Sequence, residues 1–531
     1  MMPNPLVANM TQWQYPSWQF VCGGTLALVI LYFVIDSVVA RRDIAKLPGL
    51  PPVGTPWPFT PRIVSNSLFA WDAASLLQRG YRRFKTSAFQ LVQNDKNVIV
   101  LPLSVLEELV AIPPTVASPH GGLENDLLGS YTGLDLVLES RLHHSIIQRK
   151  LTPRLGLMTP GLEKELCNAL AECLPNSEDW AVFQPYQAFS KVSARFSSQA
   201  ITGPAFANNE EWLSLGVEYV ESLFQTIVCL RFLPRWTRPV ACWFLPPYWY
   251  CNGYLRKAKQ LLGPKIQELL AENDAGRFVP QDNDEQHINV LSWLIDSARG
   301  RDRNPATISH VMVILALASV HTVLLRIVNI IYDITAHPEL LDELRAEIDS
   351  VARNWQGAPY ERLHKLDSVL IESQRTSPPT ITGLKRIFLA PYTFQNGLHI
   401  PKGSYVCMPI YAIENDPAHT ADPEVFDGLR QYRLSAKEEG SGGTGGKSKT
   451  LTFSSTTPTR LNFGYGRAAC PGRFFAELEL KMLFVKLLCE YEFKFLPGAG
   501  RPANMMLHEF LFTWPWTKML IRRRKSGAAP F

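Results

Sequence analysis

Charge is scarce in this chain: Asp, Glu, Lys and Arg make up 19% of 531 residues, against roughly a quarter in ordinary soluble domains. The formal net charge is only +5. No nucleic acid is therefore expected as a partner, since such binders concentrate Lys and Arg in stripes or patches. The 9 cysteines include no CxxC pair, which argues against a zinc ribbon or a small disulfide scaffold and for a mostly reducing compartment. A usable dinucleotide fingerprint is also missing. The literal GxGxxG match from Gly440 to Gly445 lies inside the Gly-rich tract Lys437 to Lys447 and opens no strand-helix-strand unit. That tract has almost nothing apolar to bury and reads as a flexible surface loop. What the chain does have is apolar material, 46% of it, with no repeat and no composition break between residues 60 and 531. One large domain is the expectation.

From Met1 to Ala40 the single charged side chain is Asp36, and Trp18 to Ile35 is long enough to cross a hydrocarbon core. A cleaved signal peptide is the competing reading, but it wants basic residues before the apolar run, and Arg41-Arg42 follow it. The expected layout is a luminal stretch over residues 1–17, a membrane anchor over 18–40, a basic and Pro-rich hinge over 41–59 and a body over 60–531. The positive-inside rule puts Arg41, Arg42 and Lys46 in the cytosol. Asn9-Met10-Thr11 would then be a luminal glycosylation sequon.

Helical spacing dominates the body, as in Leu340, Leu341, Leu344 and Ile348 or Phe475, Leu478, Met482 and Val485. Short β-like runs at Asn97 to Leu103 and Tyr405 to Met408 give a mainly α fold with a small β component. Residues 304–325 lack formal charge, yet Ser309, His310, Ser319, His321 and Thr322 lie within them. A long helix through a protein core fits better than a second span. The aromatics crowded from Phe232 to Tyr254 fit either core packing or an apolar surface that dips into a membrane.

Near the C-terminus stand Phe463, Gly466, Arg467, Cys470 and Gly472, followed by an amphipathic helix. Unpaired N–H groups at a helix start lower a thiol's pKa, and the glycines allow a flat ligand to come close to the backbone. This stretch resembles the haem-binding signature F-x-x-G-x-x-x-C-x-G of the cytochrome P-450 family. The resemblance implies haem b with Cys470 as axial thiolate to iron, which favours O–O cleavage, and Phe463 packed near the sulfur. It departs in one place: the propionate-binding Arg or His usual two residues before the cysteine is Ala468. Arg467, Arg386, His144 and Arg149 are the remaining candidates to hold propionates.

Further matches span most of the chain. Glu372-Ser-Gln-Arg375 fits the family's E-x-x-R pair and Arg430 the segment that joins it, implying a structural lock. Ala318-Ser319-Val320-His321-Thr322 aligns with the distal (A/G)-G-x-(D/E)-T segment. By that alignment Thr322 holds a water beside dioxygen, and His321 is either a proton relay or a core histidine. Ala318, Ser319, Thr380, Ile381 and Phe510 are candidate substrate lining by analogy. The finer resemblance, carried by Leu128 to Gly133, Lys150 to Pro153 and Gly383 to Arg386, is to fungal kaurene oxidases and their terpenoid and meroterpenoid relatives in secondary metabolism. It implies a single-pass endoplasmic reticulum monooxygenase with its catalytic domain in the cytosol. Such an enzyme takes dioxygen, a small apolar substrate and electrons from a separate NADPH-dependent cytochrome P-450 reductase, which Arg149, Lys150 and Arg473 could help dock. An oxygen-independent haem-thiolate isomerase or dehydratase, and a non-enzymatic haem sensor, are the rival readings.

Overall fold

The computed structural model describes residues 18–47, 49–93, 97–136, 140–282, 284, 287–440 and 451–531. Asn9 and the tract from residue 441 to 450 lie outside them; the part of that tract described, up to Gly440, ends the helix Arg430–Gly440.

Among the described residues, three helices are apolar and long enough to cross a membrane, and burial separates them. The helix Pro305–Ala336 is 72% buried over its most apolar window and Glu210–Arg231 is 56% buried, while Cys22–Ala45 is only 6% buried. Protein covers the first two; the third leaves residues such as Leu28, 69% exposed, without any protein to cover them. An apolar helix face of this length demands an apolar phase.

The helix runs on from Trp18 to Ala45, through the Arg41-Arg42 pair and into the expected hinge. Its end is tied to the body. The Ile63 N–H donates to Asp36 at 3.1 Å, and Asp43 pairs with Arg62. Pro52–Val53 then joins a six-stranded sheet by pairing in parallel with Gln90 and Leu91. Within the 41–59 segment, residues 41–45 are thus helix and 52–53 strand.

In order across it, the sheet contains Pro52–Val53, Phe89–Val92, Asn97–Val100, Tyr405–Met408, Gly383–Phe388 and Ala117–Ser118. Both faces of Tyr405–Met408 are buried, which explains its unbroken apolar pattern. The larger core belongs to the helices Thr152–Cys173, Pro185–Ile201, Glu210–Arg231, Pro246–Asp274, Pro305–Ala336 and Arg473–Glu490. Pro185–Ile201 and Arg473–Glu490 carry Phe196 and Phe475, whose rings lie 5.7 Å apart.

Buried ions pin this core. Glu372 accepts from Arg375 Nη2 at 2.6 Å and Nε at 2.9 Å, from Arg430 Nε at 3.3 Å and from the Asp427 N–H at 3.0 Å. Arg375 also donates to the Pro423 carbonyl at 2.8 Å. This joins the helix His364–Thr376 to the loop before Arg430–Gly440. Lys481 is 1% exposed and places Nζ 2.8 Å from Asp367, 2.8 Å from Glu477 and 2.9 Å from the Tyr360 carbonyl.

Removing one partner of a buried pair strands the other charge, at about 3–5 kcal/mol. Lys481→Met should destabilise the protein by that amount in urea unfolding of the detergent-purified chain, and adding Asp367→Asn should recover part of the loss.

Candidate active site

The distal helix Pro305–Ala336 contains a π-helical turn from Leu317 to His321. Leu317, Val320, His321 and Val323 are buried, yet Ala318 and Thr322, one turn apart, are exposed. The Thr322 hydroxyl donates to the Ala318 carbonyl at 2.8 Å, so it retains oxygen lone pairs for an incoming donor. Ser319 is half-buried and donates to the Leu315 carbonyl at 2.9 Å.

His321 does not share that face. It is 7% exposed, its ring is 6.4 Å from that of Tyr186, and it lies beside the Val217 carbonyl with no well-formed hydrogen bond at either nitrogen. Burial pushes its pKa down to about 4. In this structure it is a neutral core histidine turned away from Thr322.

The cysteine loop is set by backbone contacts. The Cys470 N–H donates to the Phe463 carbonyl at 2.7 Å, folding the signature back on itself before the helix Arg473–Glu490. Gly464 is the glycine this fold needs most: its φ is +75°, and a Cβ there would lie 2.8 Å from the Ala468 carbonyl oxygen. Gly466 also has a positive φ, +58°, whereas Gly472 is ordinary at −85°; a Cβ on Gly472 would meet the Cys470 sulfur at 4.0 Å. The Phe463 ring stands edge-on to Phe453 at 5.2 Å.

Cys470 is packed around by protein yet keeps accessible surface. An enclosed residue with exposed atoms faces an internal hollow. Burial pushes its thiol pKa up, against the N–H groups of Gly472 and Arg473 and the Arg473 charge, which pull it down. Metal coordination would reverse that balance, because a ligating thiol gives up its proton.

A second feature asks for a ligand. His120, Arg141, His144 and Arg386 act on one another electrostatically: the His120 pKa is lowered by burial and then by the other three. Burial lowers His144 too, with Arg141 adding to it, and brings Arg386 down to about 10 with no carboxylate opposing the shift. Arg386 donates to its neighbour Lys385's carbonyl at 2.8 Å, and His120 Nδ1 has no partner. A buried arginine that no carboxylate opposes among the described residues, beside two half-buried imidazoles and the exposed Arg141, fits an anionic ligand. Arg149 is exposed on the π-helical turn Ile147–Leu151 and is not among the groups perturbing these histidines; Arg467 is exposed on the turn Gly466–Ala468. Sequence reasoning missed His120 and Arg141. The only local hint was a histidine just after Pro119, at a helix start.

Thr380 and Phe510 meet in an antiparallel bridge, and Phe510 stacks edgewise on Phe224 at 5.5 Å. Ile381 departs from the expected lining. At 1% exposed it joins Phe69 of the helix Arg62–Arg83 and the strand residues Leu91 and Tyr405 in one buried cluster, and so borders no open space.

An accessible sulfur enclosed by protein, a buried arginine without an opposing carboxylate and the exposed pair Ala318 and Thr322 fit a haem held by thiolate and propionates. The comparisons agree: residues 138–521 match the cytochrome P450 family. The chain belongs to that family. It is 32% identical to the cytochrome P450 monooxygenase AN1598 of Emericella nidulans over 94% of this chain and 92% of that one. Identity is 31% to the ent-kaurene oxidase P450-4 of Gibberella fujikuroi, covering 90% and 92% of the two chains. In fold it resembles a retinoic acid-bound cyanobacterial CYP120A1, with a TM-score of 0.64 at 17% identity, over 90% of this chain and 100% of that one. This P450 is a monooxygenase with a haem-thiolate iron, supplied with electrons by a reductase.

The buried histidines make the P450 acid-sensitive. His310 and His321 are both pushed down to about 4, below the unfolded value near 6.5, so protonation favours unfolding. Their contribution to stability is intact above about pH 6.5 and is lost as pH falls toward 4, at about 3 kcal/mol each. His321→Gln should flatten that part of the stability profile measured by denaturant titration between pH 4 and 7.

Proposed function

We propose that this P450 inserts oxygen into an apolar terpenoid or meroterpenoid intermediate of secondary metabolism, with Cys470 as the residue that would hold the haem iron. The accessible, enclosed sulfur of Cys470 carries this reading. When bound, the haem supplies dioxygen activation and delivery of one oxygen atom to an unactivated carbon. Gly472 and Arg473 temper the electron donation of the sulfur through their N–H groups. Arg386, His120 and His144 hold the propionates in place of the missing side chain at Ala468. Thr322, with its own proton committed to Ala318, accepts a hydrogen bond from a water and aligns that water's other proton toward the oxygen side. Ala318, Ser319, Thr380 and Phe510 give the substrate an apolar surface with little polar recognition. The kaurene oxidase among the relatives supports a terpenoid substrate.

Cys470→Ala should abolish the red-shifted carbonyl spectrum of the reduced protein; an unchanged spectrum overturns the ligand assignment. For the substrate class, a deletion strain should accumulate an apolar terpenoid precursor that microsomes carrying this P450 oxidise in an NADPH-dependent manner.

The enzyme is read as anchored in the endoplasmic reticulum with its body in the cytosol. Beside the anchor, Trp57 and Phe59 are 63% and 58% exposed, and Arg41 lies over the Phe59 ring at 4.4 Å. Trp71 meets Phe232 at 6.3 Å, leading to a second exposed group in Trp236, Trp243 and Phe244, the last 80% exposed. Aromatics so placed suit a lipid interface. Removing residues 1–42 should move only part of the P450 off membranes while it keeps haem; adding Ser at Trp236, Trp243 and Phe244 should release the remainder in a flotation assay.

A further inference from the structure

Glu479 lies two turns into the helix that Cys470 precedes, and the mechanism above does not use it. It is 2% exposed, with Oε1 2.8 Å from the Ser193 hydroxyl and Oε2 without a partner. Ser193, 1% exposed on Pro185–Ile201, also lies 3.4 Å from the carbonyl of Val320. Val320 sits in the π-helical turn of the distal helix, two residues before Thr322. The Phe196 and Phe475 rings close the same helix pair one turn away. A single hydroxyl thus spans the cysteine helix and the irregular turn that presents Thr322.

We propose that Ser193 and the buried carboxyl of Glu479 are positioning residues, which hold the π-helical turn Leu317–His321 and through it fix the direction of the Thr322 hydroxyl. A π-helical turn breaks the regular hydrogen-bond ladder, so it needs support from outside the helix. Ser193 has one proton to give. If Glu479 is neutral, its O–H donates to Ser193 Oγ and Ser193 is free to donate to Val320. If Glu479 is ionised, Ser193 must turn its proton to the carboxylate, and the carbonyl loses its donor.

The surroundings favour the neutral acid. Burial pushes the Glu479 pKa up to about 8, opposed only by Ser193. Of the charged groups on the packed elements, Arg195 is engaged by Glu165 and Glu172 and Lys481 by Asp367 and Glu477, while Arg326 is buried without a hydrogen-bond partner, its pKa brought down to about 9 by that burial and acted on by Asp333 and Arg501, and His321 faces Tyr186. Below pH 8 the relay to Val320 is complete; above it the relay opens.

The proposal builds on the proposed role of Thr322, and its test separates the two. In purified holoenzyme, with haem content checked by the reduced carbonyl spectrum, hydrogen exchange is followed across residues 317–323. Ser193→Ala should raise exchange there about fivefold, the equivalent of one hydrogen bond. Glu479→Gln, which keeps a neutral donor, should exchange like the wild type at pH 7. After correction for intrinsic rates, wild-type exchange should rise between pH 7 and 9 while that of Glu479→Gln stays flat. The infrared band of a protonated carboxyl should be present at pH 7 and absent in Glu479→Gln. Unchanged exchange in Ser193→Ala, or the same pH response in wild type and Glu479→Gln, overturns the proposal. Should Ser193→Ala fail to load haem, Ser193→Cys, similar in volume but a weak donor, carries the same test. Thr322→Val tests the other reading by a separate readout: product per NADPH, from the compound that accumulates in the deletion strain, should fall while haem content is kept. If that yield holds, the role of Thr322 fails while the support of the turn stands.

Discussion

A sulfur that is enclosed by protein and still keeps accessible surface is the constraint on which the rest of this structure depends. Enclosure alone keeps the Cys470 thiol protonated. Backbone N–H groups at the start of Arg473–Glu490 and the nearby Arg473 charge offset part of that cost without filling the space before the sulfur. The short loop from Phe463, closed by one backbone bond and a glycine in the left-handed region, aims the cysteine inward. A hollow beside that sulfur must be kept open by a surrounding body that does not collapse, which is a demand on stiffness as much as on stability.

Buried ion clusters answer that demand at several places. Glu372 with Arg375 and Arg430 clamps the helix His364–Thr376 to the loop before Arg430–Gly440, and Lys481 with Asp367 and Glu477 fixes the helix Arg473–Glu490. On the substrate side, Arg231 pairs with Glu509 at 2.8 Å while Lys385 reaches Asp126 and Glu509, and both cations lie over the Phe510 ring at about 5.5 Å. Charges buried in this way add little net stability. They do make misplacement costly, because any shift strands a charge in a low dielectric. The elements that frame the hollow are thereby held to one arrangement.

The anchor belongs to the same economy of position. Asp36 and Asp43 lie at the end of an apolar helix and bind the first residues of Arg62–Arg83, so the helix and the body are coupled mechanically. The aromatic groups around Trp57 and Trp236 leave one region of the body suited to lipid.

Local chemistry explains how much could be read from the sequence. The cysteine signature, the Glu372 and Arg375 spacing and the apolar anchor are each contained in a short stretch, where helix periodicity and residue type decide the outcome. Only the tertiary structure decided the rest, because it depends on groups distant in the chain. His120, Arg141 and Arg386 form one cationic cluster from three segments, and Ser193 meets Glu479 across 286 positions. Thr380 and Phe510 become neighbours by a bridge that neither stretch announces. The direction of His321 is the clearest case. Its spacing beside Thr322 was plain in the sequence, but a π-helical turn changes the angle between successive side chains, and the packing of Tyr186 then decides which of the two faces the hollow.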